Sequence, residues 1–286
     1  MIAIVTDSTC DLPASLRASY DFAVIPAHVI FNSDDFLDGV TIDAEVFYRR
    51  IRDTGIIPTT SQPSIGEFVQ LYRELAAKGA DEILSLHISR HLSGMVGSAE
   101  MAASEVAGEI KVHVFDSSAG SVGLGYMVVE AAEAVKIGRS AEDILAVLKR
   151  IRESLTIVLA PLNLEFLLKS GRISRLQGAL GTLLNIKPIV QLKDGTLEAT
   201  ERVRSRRKSL QRMVEITAET HGSQPVNVGV AHASAPDDAQ SLLSMAEARL
   251  NCQQAFTTEL GLGITSHLGP GTVGLGAYPS NAGMLP

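Results

Sequence analysis

The sequence predicts an α/β protein of two α/β domains, a parallel-sheet N-terminal domain (residues 1–155) and a mixed-sheet C-terminal domain (residues 156–286), with a ligand cleft between them. In the first half, short and continuously apolar runs alternate with helical patterns, which is typical of parallel strands covered on both faces. In the second half, the turn Asp194-Gly195 joins two strand-like runs into a hairpin, which makes that sheet mixed. No Pro- or Ser-rich linker separates the halves, so we expect them to pack around a cleft, the default place for a ligand.

The first half contains apolar runs that predict strands, each followed by helical patterns. The predicted strands are "IAIVT", "FAVIPAHVIF", "EILSLHI" and "KVHVF". The predicted helices are one after Asp11-Leu12-Pro13, then "AEVFYRRIRD", "IGEFVQLYRELAAKG", "MVGSAEMAASEVA" and "GYMVVEAAEAVKIG".

The pattern of apolar and polar residues changes from about Leu155. The predicted helices are "LNLEFLLKS" and "SRLQGALGTLLN", joined by the turn "GRI", then "RRKSLQRMVEITAETH" and "DDAQSLLSMAEARL". The predicted strands are the hairpin of "KPIVQL" and "TLEATERV", then "VNVGVAHA". The chain is expected to finish as strands and Gly-rich loops in "QQAFTTEL", "GLGITSHLG" and "VGLGAY".

Composition excludes several classes of function. The net charge of −7 does not favour nucleic acid or an anionic membrane as a partner, and the lack of Trp argues against base-stacking surfaces. Cys10 and Cys252 form neither a disulfide framework nor a zinc pattern, which fits the reducing cytoplasm. The N-terminus lacks the features of a signal peptide, and "LTIVLAPLNLEFLL" is too short and too polar to span a bilayer. We therefore expect a cytoplasmic protein without membrane insertion.

Three loops that follow predicted strands are rich in hydroxyl groups. They are "TDSTCD", "SRHLSG" and "DSSAGSVG", and they place on one sheet edge Ser8, Thr9, Ser93, Ser117 and Ser118. Ligands bind at this edge in doubly wound sheets, where helix N-termini present free N–H groups. Each hydroxyl could instead be an ordinary helix N-cap, but three such loops together favour a binding site.

A separate loop, "PTTSQPS" at residues 58–64, carries further hydroxyl groups. Ser64 lies three residues before Glu67, which is the capping-box spacing, so we assign it to a helix start. Thr60 and Ser61 are left without an obvious structural role and are candidate ligand contacts.

Two basic segments stand out in this acidic chain. The first is "ERVRSRRKS", which contains Arg202, Arg204, Arg206, Arg207 and Lys208. The second is the turn "KSGRISR", which contains Lys169, Arg172 and Arg175. Such runs are usually solvated faces, but one that straddles a strand end and a helix start points its side chains in several directions. One arginine could therefore face the cleft.

Other candidate groups are His267 and Cys10. His267 is interpreted as standing at the end of a strand, beside the turn Gly269-Pro270-Gly271. Cys10 could be a nucleophile, but the sequence places no base beside it. His87 and His91 are separated by a strand end and a turn, so no metal site is predicted, and no nucleotide-binding or hydrolase motif occurs.

These motifs together resemble one bacterial family. "VTDSTCDLP", "TSQPS", "ISRHLSGMVGSA", "VFDSSAGSVGLG", "LEFLLKSGRIS", "NIKPIVQLKDG", "VRSRRK" and "SHLGPGTVGLGAY" occur in order over nearly the whole chain and resemble the DegV family. Its members are bacterial fatty-acid-binding proteins, including the FakB-type carriers that present a fatty acid to a kinase.

The resemblance implies a DegV-like pair of α/β domains with a long-chain fatty acid between them and no cofactor. It implies that the "TSQPS" and "LSG" loops, here Thr60, Ser61, Ser93 and Gly94, bind the carboxylate, and that Arg204 and His267 lie near the head group. The chain would then be a carrier rather than an enzyme, with a fatty acid kinase as partner. The basic segments supply Arg172, Arg206 and Arg207 as docking candidates, because exposed charge raises the rate of encounter with an acidic surface. The alternative is a small hydrolase or phosphotransferase that acts on an apolar acid with Cys10 or His267.

Overall fold

The computed structural model describes residues 1–176 and 187–283 of the chain. In chain order the elements are β1 (Ile2–Asp7), α1 (Ala14–Arg17), β2 (Ala23–Ile25), β3 (His28–Phe31), β4 (Asp34–Leu37), α2 (Ala44–Thr54), β5 (Thr59–Ser61), α3 (Ile65–Ala77), β6 (Glu82–His87), α4 (Met95–Glu105), β7 (Lys111–Asp116), α5 (Val122–Lys136), α6 (Ala141–Ser154), β8 (Thr156–Ala160), α7 (Glu165–Ser170), β9 (Ile173–Leu176), β10 (Lys187–Lys193), β11 (Thr196–Val203), α8 (Arg206–His221), β12 (Pro225–His232), α9 (Pro236–Arg249), β13 (Asn251–Glu259), α10 (Leu262–Leu268), β14 (Val273–Pro279) and a 3-10 turn (Ser280–Ala282). None of the described helices is both long and apolar enough to cross a membrane.

The first sheet is parallel, as its continuously apolar strands predict. Its strands lie in the order β2-β1-β6-β7, and every described pairing among them is parallel. One face packs on α3 and α4 through buried residues such as Phe68 and Met95, and the other face packs on α5 through Leu124 and Met127. Burial on both faces is the reason why the strands read as unbroken apolar runs.

A small antiparallel sheet, in the order β4-β3-β5, was not expected from the sequence. The run "FAVIPAHVIF", predicted as one strand, divides at Pro26, so that β2 joins the parallel sheet and β3 joins the small one. Proline has no N–H group to donate, so a strand is readily interrupted there. The first residues of the loop at 58–64 form β5, in which Thr60 pairs with Val29.

The second sheet is mixed, in the order β13-β12-β14-β8-β10-β11-β9. The predicted hairpin is confirmed, because β10 and β11 pair from Lys193 with Thr196 outward. Asp194 and Gly195 both have positive φ, at 47° and 77°, which is the backbone that a two-residue hairpin turn requires.

Two predicted elements are wrong. Residues 174–176, predicted to begin a helix, belong to β9, which pairs with β11, while residues 177–185 of that prediction lie outside the described residues. The stretch "GLGITSHLG", predicted as strand and loop, contains the helix α10, so His267 stands near the end of a helix. Glycines at 261 and 263 disfavour a helix locally, but aspartate side chains from the other half of the chain accept hydrogen bonds from their N–H groups.

The largest core is shared by both sheets. It joins Ile4 and Leu84 of the first sheet to Leu159 and Val190 of the second, with α5 between them. The two halves therefore pack directly on each other. The domain boundary at residues 155 and 156 stays a prediction.

Candidate functional site

A cavity lies between the carboxyl edge of the first sheet and the inner face of the second, with α10 along one side. Its empty space, including the part open to solvent, is about 1030 Å³. Apolar residues of its wall include Ile88, Leu92, Met95, Val122, Ile157, Leu159, Leu192, Leu197, Leu260, Ile264 and Leu268. Polar residues of its wall include Thr9, Thr60, Ser61, Gln62, Ser93, Ser121, Arg172, His267 and Thr272.

The polar residues at one end are linked by direct contacts. The Thr60 hydroxyl is hydrogen-bonded to His267 Nε2 at 2.7 Å, which joins β5 to α10. Burial, with the positive charge of Arg172 as the second cause, lowers the pKa of His267 to about 4. His267 is therefore a neutral ring at pH 7, and its buried Nδ1 has no partner among the described residues.

Arg172 is held against the loop that carries Ser93. Its Nη1 donates to the Ser170 carbonyl at 2.6 Å and its Nε donates to the Leu92 carbonyl at 3.4 Å. On the other side of Ser93, the Gln62 side chain packs so closely on Gly94 that a Cβ atom there would lie 2.7 Å from it. The loops around residues 60, 93 and 172 and the end of α10 thus meet at one place, which we call the polar end of the cavity.

The local sequence explains the position of the 58–64 loop. Pairing of β5 with β3 holds its first residues, and the predicted capping box at the start of α3 is confirmed. The Ser64 hydroxyl accepts from the Glu67 N–H at 3.3 Å, and the Glu67 carboxylate accepts from the Ser64 N–H at 2.8 Å. Thr60 and Ser61 belong to β5 and line the cavity, and the Thr60 hydroxyl is bound to His267.

Two buried aspartates position α10, and sequence reasoning missed this role. Asp38 accepts from the N–H groups of Leu262 and Gly263 at 3.1 and 3.0 Å, and Asp11 accepts from Gly261 at 2.9 Å. Burial raises the pKa of Asp11 to about 8 and also raises that of Asp38. The helix that carries His267 is therefore tied to the first half of the chain.

Several residues predicted from the sequence come together at the polar end. Thr60, Ser61, Ser93 and His267 line the cavity, and Gly94 flanks Ser93 against Gln62. Of the sheet-edge hydroxyl groups, Thr9 also lines it, whereas Ser117 donates to the Ala119 carbonyl within its own turn.

The structure places the predicted arginines differently. Arg204, expected near the head group, is exposed in the turn after β11 and is not part of the cavity wall. Arg172, expected on a docking surface, lines the cavity instead. Arg206 is ion-paired with Asp238 at 2.7 Å and donates to the carbonyls of Ala160 and Gly271, so its guanidinium stabilises the fold. The sequence could not show that Arg172, and not Arg204, lines the cavity, because it does not reveal which loop folds back over the cleft.

Groups that would support catalysis are unfavourably placed. Burial is the main cause that raises the pKa of the Cys10 thiol, so its reactive thiolate is disfavoured. Asp7, His87 and Ser85 form a hydrogen-bonded chain at 3.0 and 2.7 Å, but all three are fully buried and none lines the cavity. Over residues 1–176 and 187–283, no three His, Cys, Asp or Glu side chains are grouped to hold a metal ion.

Known proteins share this architecture. A structure reported as fatty acid binding of a DegV family protein from Thermus thermophilus has a TM-score of 0.89 and 39% identity, over 97% of this chain and 99% of that one. The structure of DegV from Bacillus subtilis, described as a fatty acid binding protein, has a TM-score of 0.87 and 32% identity, over 98% and 99%.

Sequence comparison gives the same relationship. A DegV domain-containing protein of Deinococcus radiodurans is 38% identical over 284 residues, which cover 98% of this chain and 99% of that protein. A family model described as "Uncharacterised protein, DegV family" matches residues 1–280. The chain therefore belongs to the DegV family.

Proposed function

We propose that this protein binds one long-chain fatty acid in the cavity, with its carboxylate at the polar end and its tail along the apolar wall. The observation that carries the proposal is the make-up of the site, a largely apolar cavity with Thr60, Ser93, Arg172 and His267 together at one end. The fatty acid binding described for the relatives from T. thermophilus and B. subtilis supports it.

The tail and the head group of the ligand make different contributions to the free energy of binding. Burial of ~14 methylene groups at ~0.8 kcal/mol each contributes roughly 11 kcal/mol before the entropy cost of ordering the chain. Each head-group hydrogen bond contributes about 1–3 kcal/mol. The tail therefore supplies the affinity, and the polar end fixes the direction of the ligand.

In this proposal the carboxylate receives hydrogen bonds from Thr60, Ser61 and Ser93 and lies beside Gly94, whose lack of a Cβ atom admits the Gln62 side chain. Arg172 supplies the positive charge, because its guanidinium lines the same end of the cavity. His267 orients the Thr60 hydroxyl through their hydrogen bond of 2.7 Å and, being neutral, adds no charge of its own. Hydrogen bonds to a charged group are the stronger class, so the site favours an acid over an alcohol.

We further propose that the carrier presents the carboxylate to a fatty acid kinase, which forms the acyl phosphate in the cytoplasm. Ser61, Gln62 and Gly94 are exposed, so a carboxylate beside them would be within reach of a second protein. Arg204 and Arg207 are exposed and form no ion pair with another described residue, and such charges raise the encounter rate with an acidic surface. The hydrolase alternative has no comparable support, because its nucleophile candidate, Cys10, is buried.

Binding is tested on the purified chain. Extraction with organic solvent followed by mass spectrometry is expected to yield about one equivalent of fatty acid per chain, because the cavity is one ligand site. Less than a tenth of an equivalent, together with no binding when fatty acids are titrated into delipidated protein, would refute the proposal.

Presentation is tested by charge reversal. Arg204→Glu with Arg207→Glu is expected to leave fatty acid binding unchanged while slowing phosphorylation by the kinase, and the wild-type rate should fall as salt screens the charges. Arg139→Glu, on an exposed residue just beyond the far end of α5, is the matched control and should phosphorylate normally. Full turnover by the double variant would show that these arginines do not dock the kinase.

A further inference from the structure

The floor of the cavity contains an open notch made by small residues on two neighbouring strands. Ala231 on β12 pairs with Gly274 on β14, and both line the cavity. Among described residues other than its two chain neighbours, the nearest atom to a Cβ added at Gly274 would be the Cβ of Leu159 on the adjoining strand, 3.8 Å away. The space above this pair is therefore open to a ligand.

The next pair along the same face is small as well, but it is filled. Gly229 pairs with Gly276, and a Cβ atom on either glycine would lie 2.8 Å from the side chain of Val122. Residues two apart on a strand share one face and are about 7 Å apart. The open notch is therefore limited to the pair of Ala231 and Gly274, because Val122 fills the space over the next pair. Val122 is 2% exposed and belongs to the cavity wall.

Val122 lies at the opposite end of α10 from the polar end. The last turn of α10 carries His267, and its first N–H groups are bound by Asp11 and Asp38. Asp11 lies beside the Ser121 hydroxyl, which directly precedes Val122.

We propose that Val122 blocks this end of the cavity and so sets the longest fatty acid that the protein binds well. This inference rests on the proposed function, because it assumes that an acyl tail lies on the cavity floor. Each methylene group of the tail that is buried in the cavity should raise the affinity about fourfold. Each methylene group that Val122 excludes should leave the affinity lower by the same factor.

The test measures dissociation constants of the delipidated protein for saturated fatty acids in steps of two carbons. Val122→Ala frees the volume of two methyl groups over Gly276, so the preferred chain length should increase by about two carbons, with a gain of about fourfold per added methylene. Gly274→Ala adds a methyl group to the open notch without a clash, so it should shift the preference towards shorter acids.

Val228→Ala is the matched control. Val228 is fully buried on the opposite face of the same sheet, so it should lose comparable stability while leaving the chain-length profile unchanged. An unchanged profile in both Val122→Ala and Gly274→Ala, or an equal loss at all lengths, would overturn the inference while leaving fatty acid binding intact. If Val122→Ala does not fold, the shift in Gly274→Ala decides. A wild-type protein that binds no fatty acid would refute the proposed function itself.

Discussion

Replacement of Arg172 by Met tests which arginine holds the carboxylate. Methionine keeps an apolar stem in the cavity wall but removes the guanidinium group. Arg172 uses two of its five N–H groups on the carbonyls of Ser170 and Leu92, and no other residue in 1–176 or 187–283 accepts from the remaining three. In contrast, Arg204 is exposed and outside the cavity wall.

The expected magnitude follows from the charge on both partners. A hydrogen bond to a charged group contributes about 1.5–3 kcal/mol, which corresponds to a loss of roughly 10- to 150-fold in affinity. A fatty alcohol of the same length gains little from the positive charge, so its affinity should change much less. The ratio of acid to alcohol affinity isolates the head group from the packing of the tail.

Isothermal titration with a fatty acid and its alcohol measures this ratio in three proteins. We expect Arg172→Met to lower it at least tenfold and Arg204→Ala to leave it at the wild-type value. Thermal unfolding of each variant checks that the fold survives the lost backbone contacts. If Arg204→Ala lowers the ratio and Arg172→Met does not, the assignment of Arg172 to the head group is wrong.

Three further predictions concern the polar end and its supports. Ser93→Ala should weaken fatty acid binding by about 1–2 kcal/mol and narrow the gap between acid and alcohol, whereas equal affinity of variant and wild type would remove Ser93 from the site. The pKa of Asp11 is raised to about 8 by burial, so its stabilising contribution is present at low pH and is lost as pH rises towards 8. Asp11→Asn keeps an acceptor for Gly261 but cannot ionise. In denaturant unfolding, the free energy of unfolding of the variant should therefore rise relative to that of the wild type from about pH 4 to about pH 8 and stay level above it, and curves that stay parallel across that range would contradict the burial argument. Arg206→Ala should lower the free energy of unfolding by about 1–3 kcal/mol, because two backbone carbonyls lose their hydrogen-bond donor. Arg207→Ala is the control and should leave that free energy unchanged. Equal effects of the two variants in urea titrations would refute the structural role of Arg206.

The sequence by itself determined the parallel first sheet, the hairpin at Asp194 and the hydroxyl-rich loops that converge on the cavity. These features depend on neighbours in the chain: apolar runs, positive-φ turn residues and capping spacings act over a few residues. The motifs also carried the family resemblance, and with it the prediction, still to be tested, that Thr60 and Ser93 bind the carboxylate.

Only the tertiary structure decided which distant groups complete that site. Glycines disfavour a helix, yet α10 forms because Asp11 and Asp38, more than 200 residues earlier, accept hydrogen bonds from the N–H groups at its start. Arg172 faces the cavity because its guanidinium bonds a carbonyl 80 residues away, and nothing in the basic run around Arg204 reveals that difference. Contacts of this kind depend on how the two sheets pack, which a local pattern of residues does not encode.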